Sequence, residues 1–222
     1  MEKYGTIPKK FTKAWWEYFW EYYKWHTIAI LFVVFMISSL IYSNVTRTRY
    51  DMYVSYVGTS PFFEQSKGNL EELIVPVTEE ITENDKIDVS FDVYSIDASV
   101  APDAASAEMQ SAISMKLMAE LEAGSSYLYL VSKGNLENFY ALAGCFADTS
   151  LYAPDGMEVF TDENGRACAV SLAGNEKLTA AGMDCSDLYL AVRSMYERDK
   201  KDEEKIRLYE NSLKIAEFII GE

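Results

Sequence analysis

The hydrophobic positions of the chain fall into two regimes that meet near residue 45. Upstream, Thr27–Tyr42 reads TIAILFVVFMISSLIY without a single charge. At about 1.5 Å of rise per residue, this run is shorter than the roughly 30 Å hydrocarbon core of a bilayer. A spanning helix must therefore draw on its flanks. Immediately before it, eight of the eleven residues of Trp15–Trp25 are aromatic, and Trp and Tyr rings favour the headgroup layer. The pattern predicts an aromatic interfacial segment and transmembrane helix over residues 15–43. Trp15, Trp16, Trp20 and Trp25 are its membrane-interface residues, with Glu17, Glu21 and Lys24 snorkelling or facing water.

Downstream, a linker over residues 44–50 gives way to alternating strand and helix signals. Met52–Val57 is β-branched and aromatic and ends at Gly58, as a strand does. Pro61 to about Glu83 reads as helix in two pieces, interrupted at Gly68 and Pro76. Ile87–Ile96 alternates apolar and polar positions, which suits a strand at a sheet edge. Asp103 or Ser106 can cap a helix that runs to Ala123 and stops at Gly124. Its predicted buried stripe is Met109, Ala112, Ile113, Leu117 and Leu121. Tyr127–Val131 is a short apolar run that predicts a strand covered on both faces, and Asn135–Leu142 a short helix.

Val159–Thr161 and Arg166–Leu172 flank Asp162-Glu163-Asn164-Gly165, where Asn-Gly signals a hairpin. The acidic turn lacks the spaced oxygen ligands of a calcium loop, so a plain turn is the reading. Asp187–Val192 predicts one more strand. Ile206, Tyr209, Leu213, Ala216 and Ile220 mark a terminal amphipathic helix whose start, Glu197–Lys205, is charged and reads as solvated. This β-α-β-α-β order predicts an α/β fold, a three-layer domain with a mainly parallel sheet over residues 51–196. A charged C-terminal helix follows over 197–222.

Charge orients this arrangement. Residues 1–49 hold seven Lys/Arg and three Glu, leaving thirteen basic and thirty-two acidic groups beyond. Lys3, Lys9, Lys10, Lys13 and Lys24 precede the span, whereas only Arg47 and Arg49 closely follow it. The bias predicts a basic cytoplasmic tail over residues 1–14 and an extracellular domain at the cell membrane. A cleaved signal peptide is the competing reading, opposed by the long aromatic n-region and the lack of an A-x-A site. An ectodomain so acidic repels phosphate backbones, so nucleic acid is not an expected partner.

Candidate chemistry is sparse. The one histidine, His26, sits at the membrane boundary, so the domain lacks the imidazole that Ser–His or Cys–His catalysis needs. Cys145, Cys168 and Cys185 are an odd number without metal-ligand spacing. They read as small core hydrophobes, although one bridge between two of them stays open. Gly58-Thr-Ser-Pro is a turn without the lysine of a phosphate loop. No cofactor, metal site or enzymatic activity is expected.

Lys116-Leu-Met-Ala-Glu-Leu-Glu-Ala-Gly124, followed by the strand Tyr127–Val131, resembles a helix–Gly–strand segment of extracellular solute-binding proteins. These are the type 2 periplasmic-binding-protein-like family that serves ABC importers. Ala143-Gly-Cys-Phe-Ala-Asp-Thr149 echoes the family's next turn. Glu163–Ser171 stands where its D-G-K-x-Y-A-V-P hairpin follows, with Ser171 in place of proline. The resemblance covers roughly Met52–Leu172. The aromatic N-terminus is also similar to that of single-pass, ectodomain-bearing proteins of Gram-positive bacteria.

The chain departs from the family in having room for one lobe only, and in carrying a helix where the family has a lipobox cysteine. The resemblance implies a membrane-tethered, non-catalytic binding module that takes a small solute weakly or docks on a membrane protein. The alternative is a structural or assembly subunit with no small-molecule ligand. Tyr127, Tyr129 and Tyr152 are the aromatics that could stack on a sugar, or else pack in the core or at its rim.

Overall fold

Helix α1 (Lys13–Val45) is continuous through the aromatic and apolar segments. Aromatic rings repeat every four residues along one side of it. Phe11 lies 5.6 Å from Trp15, Trp15 stacks on Phe19 at 5.5 Å, and Phe19 stacks on Tyr23 at 5.6 Å. This is the spacing at which helical side chains become neighbours. Tyr23–Tyr42 is long and apolar enough to cross a membrane. The computed structural model describes residues 9–45, 49–60, 62–82, 85–97 and 107–221. These divide into two compact units at Arg49/Tyr50. The capping candidates Asp103 and Ser106 and the first eight residues lie outside the described set.

The second unit is built on β1 (Met52–Val57), α2 (Phe62–Ile74), β2 (Val89–Tyr94), α3 (Ala107–Ala123) and β3 (Leu128–Ser132). Two short helices follow, α4 (Lys133–Asn138) and α5 (Tyr140–Ala143), and then β4 (Val159–Thr161) and β5 (Ala167–Ser171). Helix α6 (Glu176–Ala180), β6 (Leu188–Val192) and α7 (Glu203–Ile220) complete the order. The sheet runs β2-β1-β3-β6-β5-β4. β1 pairs in parallel with both β2 and β3, while the β3–β6, β6–β5 and β5–β4 pairs are antiparallel. Four of the six strands thus point one way, but three of the five pairings are antiparallel. The sheet is less parallel than the helical crossovers predict, because β6 returns against β3 and the β4–β5 hairpin, turned at Gly165, adds to its far side.

Helices cover both faces. On one, Met52, Val54 and Tyr56 of β1 pack with Leu70 and Ile74 of α2 and Ile215 and Ile219 of α7. On the other, Tyr129, Val131 and Ala191 pack with Leu117 and Leu121 of α3 and with Leu136 and Leu142. Every buried hydrophobic residue of the described chain lies between Met52 and Ile220, so this core closes without α1.

Several expectations change in detail. Gly68 sits inside α2 with open space beside it and does not interrupt the helix. After Ile74 the chain tightens into a 3₁₀ turn, Val75–Val77, around Pro76. No helix continues through the described residues beyond it. β2 does occupy an edge. Asn135–Leu142 breaks at Phe139 into α4 and α5. The stripe expected on α3 is half realised: Leu117 and Leu121 are sealed, but Met109 is 63% exposed and Ala112 is also exposed. Apolar spacing marked the right face, but full burial is reached only in the C-terminal half of α3.

Two buried carboxylates tie the elements together. Asp51 precedes β1, and its Oδ1 accepts from the backbone N–H of Ile81 (2.5 Å) and Thr82 (2.7 Å), its Oδ2 from that of Asp88 (2.8 Å). Burial alone would raise this carboxyl, but the three amides outweigh it and hold it below the usual range. Asn211 of α7 donates to Asp51 O at 3.2 Å and Glu79 O at 2.8 Å, and accepts from Glu79 N at 3.1 Å.

Asp199 lies in the segment expected to be solvated, yet it is buried. It pairs with Arg193 (3.0 Å) and Lys205 (2.8 Å). α3 has no basic residue in its last turn, and its final carbonyls receive cations from elsewhere in the chain. Arg193 Nε donates to Leu121 O, Arg198 Nη2 to Glu122 O and Lys205 Nζ to Ala123 O. This complements the negative end of the helix dipole.

Candidate functional site

The strand order reverses at β1. The chain leaves β1 through α2 to β2 on one side, then returns through α3 to β3 on the other. Such a reversal opens a crevice at the carboxyl ends of the strands, where ligands of open α/β sheets bind. Near this point Asn135 is fully buried at the start of α4. Its Nδ2 reaches Val57 O at the end of β1 (3.3 Å), Ile96 O beyond β2 (2.8 Å) and Ser132 Oγ at the end of β3 (2.9 Å). One amide therefore gathers the ends of three parallel strands.

At the carboxyl ends of β1 and β3 lies a cleft of about 330 Å³ lined by Tyr56, Thr59, Ser60, Ser132, Asp184, Ser186, Asp187 and Leu188. Its volume falls at the lower end of the range for small-ligand sites. Tyr56 forms the apolar wall, stacked on Phe63 at 4.3 Å, with its hydroxyl accepting from Ser60 N at 3.0 Å. Its ring folds back so far that a Cβ at position 58 would stand 2.7 Å from the Tyr56 oxygen, which is why Gly58 follows β1. Burial pushes the Tyr56 phenol up.

The opposite wall is polar. Asp184 Oδ1 accepts from the Ser186 hydroxyl (2.7 Å) and amide (3.0 Å), and these bonds hold its carboxyl below the usual range. Every charged side chain lining the cleft is acidic. Apart from Leu188, the rest carry hydroxyls that both donate and accept. Such a lining suits a small polar solute held by hydrogen bonds, and it disfavours anions.

A larger depression of about 490 Å³, bounded by Met157, Asn175, Lys177, Ile220 and Gly221, has Asn175 and Lys177 already engaged. Asn175 Nδ2 donates to Ile219 O at 2.7 Å and Lys177 Nζ to Phe218 O at 2.7 Å and to Gly221 O, closing the end of α7. It is a packing seam.

The three tyrosines singled out by sequence, Tyr127, Tyr129 and Tyr152, are all buried, and none lines the cleft. Trp16, Trp20 and Trp25 are exposed along α1, while Trp15 is half-buried between Phe11 and Phe19. Asp162 spends its Oδ1 on the amides of Asn164 and Arg166, as a plain turn does. All three cysteines are free thiols, and burial pushes that of Cys168 up to about 11. Among the described residues no three His, Cys, Asp or Glu side chains come together.

Sequence reasoning passed over Thr59, Ser60 and Ser132. Their signal was available, since each lies at or just beyond the carboxyl end of an apolar run, where ligand contacts are placed. Asp184 and Asp187 carried none, because they reach the cleft only through the antiparallel return of β6. No protein-family model, curated protein or solved structure matches the chain.

Proposed function

We propose that the chain is a membrane-tethered, non-catalytic extracytoplasmic binding module, related to one solute-binding lobe, that holds a small polar solute at the carboxyl ends of β1 and β3. The observation that carries this reading is the open cleft at the strand-order reversal, lined by Tyr56, Thr59, Ser132 and Asp184. Lys9, Lys10 and Lys13 ahead of the α1 span support a cytoplasmic N-terminus.

The test is a thermal-shift screen of residues 50–222 against sugars, amino acids, short peptides and calcium. A ligand that binds only the folded state raises Tm by mass action, so weak binding registers at high concentration. The shift belongs to this cleft if Thr59→Trp, at its mouth, abolishes it. A cooperative melt that no class of solute moves would sink the small-ligand reading.

A second reading rests on a separate observation. Met109 and Met115 stand 63% and 65% exposed on α3, and β2 is an edge strand. This supports an assembly subunit that docks on a membrane protein. Crosslinking from position 109 to one discrete partner, together with a silent ligand screen, would favour it.

A further inference from the structure

Both charged side chains that line the cleft at the carboxyl ends of β1 and β3, Asp184 and Asp187, are carboxylates. The Asp184 carboxyl is held low by the hydroxyl and amide of Ser186 and not by a neighbouring base, so it stands ionised without a counter-charge. The bases of the adjoining elements pair elsewhere. Lys133 follows Ser132 and donates its backbone N–H to Asp187 O at 2.9 Å, but its ammonium lies 3.9 Å from Glu137. Lys67 lies 5.9 Å from the Phe63 ring centre and pairs with Glu64 at 2.9 Å.

The third contributor is buried. Tyr56 is 3% exposed, with its ring stacked on Phe63, yet it borders the cleft. Its oxygen accepts from the Ser60 backbone N–H at 3.0 Å and from the Ser60 side chain. Both bonds use lone pairs, so the phenol keeps its proton to donate. Asp184 lies close enough for its charge to help hold that proton in place. A buried hydroxyl ordinarily gives its proton to an acceptor, and the cleft is where one fits.

These groups narrow the chemistry of the occupant. Ionised carboxylates only accept, and they bind a charged donor more strongly than a neutral one. A carboxylate or phosphate on the solute meets Asp184 and Asp187 as like charges. A neutral polyol satisfies the hydroxyls but leaves both aspartates without a counter-charge. A protonated amine that also carries hydroxyl groups meets both demands. The thirty-two acidic groups beyond residue 49, against thirteen basic ones, draw such cations toward the domain.

We propose that the cleft selects a small hydroxylated amine, an amino alcohol or amino sugar. Its ammonium group lies on the Asp184 and Asp187 wall, and a hydroxyl oxygen accepts from Tyr56. This inference rests on the reading of the cleft as a solute site and names the class of solute.

The test is an NMR titration of nitrogen-15-labelled residues 50–222, whose core closes without α1. Two matched pairs are used at constant ionic strength and about pH 6, where amines are protonated: ethanolamine against ethylene glycol, and glucosamine against glucose. The expected result is amide shifts at Thr59, Ser60, Ser132 and Ser186. Each amine should bind about tenfold more tightly than its neutral partner, since one exposed ion pair contributes up to about fivefold. Asp184→Asn, which keeps an acceptor for Ser186, and Asp187→Asn should together bring each pair toward parity. Equal binding within both pairs at these amides overturns the amine assignment and leaves the solute site standing. A preference that survives both substitutions, or stronger shifts of the same amides by calcium, also overturns it. Silence from all four probes and from the wider solute screen removes the site itself.

Discussion

Arg193 Nη1 and Asp199 Oδ2 lie 3.0 Å apart, with both side chains sealed from solvent. The pair does more than neutralise itself, since the same guanidinium caps α3 and Lys205 joins Asp199 from α7. Removing one partner leaves the other charged and buried, which costs about 3–5 kcal/mol. Asp199→Ala is therefore expected to lose that much in urea unfolding. Arg193→Met should lose less, because Asp199 keeps Lys205. Equal losses from the two would contradict this ordering.

Asp51 makes the domain acid-sensitive. Its folded carboxyl is held below the ordinary value by three backbone amides, which outweigh the cost of burial. The stabilisation is fully present above the unfolded-chain value of about 3.9 and drains away as pH falls through the folded value. Asp51→Asn should flatten the fall in Tm below about pH 4. At neutral pH it should cost about 1–3 kcal/mol, because Asp88 N loses its acceptor. Melting curves across the acid range measure both.

The buried tyrosines act at the alkaline end. Burial, partly opposed by the Arg193 guanidinium, pushes the Tyr127 phenol up to about 12, and burial raises Tyr129 and Tyr152 as well. Unfolded tyrosine ionises near about 10. Stability is therefore whole below that value and is lost as pH climbs from it toward the folded values. Phenolate absorbance of residues 50–222 should rise in two stages, the half-buried rings first and the buried ones together with unfolding. A single smooth titration near pH 10 would mean that these rings are accessible.

All four tryptophans lie in α1, at positions 15, 16, 20 and 25, so intrinsic tryptophan emission of the full chain reports on that helix alone. In vesicles, lipids brominated near the headgroup should quench it more strongly than lipids brominated at the chain ends. They should do so unchanged when the cleft is occupied. Preferential quenching from the bilayer centre would overturn the interfacial assignment of these residues.

How much of this was legible in sequence depends on whether a feature is local. β1, β3 and β6 announced themselves as short apolar runs, and Asn164-Gly165 marked the hairpin. Gly124, at φ +69°, stops α3 where its glycine suggested. Pairing direction was not legible, because nothing in Leu188–Val192 says that it returns against β3. Met109 has the right period to be buried yet stands 63% exposed. Arg193 follows an apolar strand and reads as its solvated end, and only the fold brings it to the α3 terminus and Asp199. Asn135 looks like any polar helix residue, yet its amide ties strand ends together by reaching carbonyls 78 and 39 residues away.

The strand order also sets a timetable. β6 separates β3 from β5 in space but follows both in the chain, and Asn211 of α7 bonds the backbone of Asp51, where the domain begins. A chain delivered N-terminus first can assemble β2, β1 and β3 early. Its β4–β5 hairpin, however, has no strand to join until residues 188–192 arrive, and Asp51 waits longer still for α7. Until then β3 offers an open edge, the kind that recruits foreign strands. Completion of the domain is therefore a single late event that depends on distant contacts. A ribosome or translocation channel releasing this chain hands over an unfinished sheet, and its last helix is the one that locks the first strand in place.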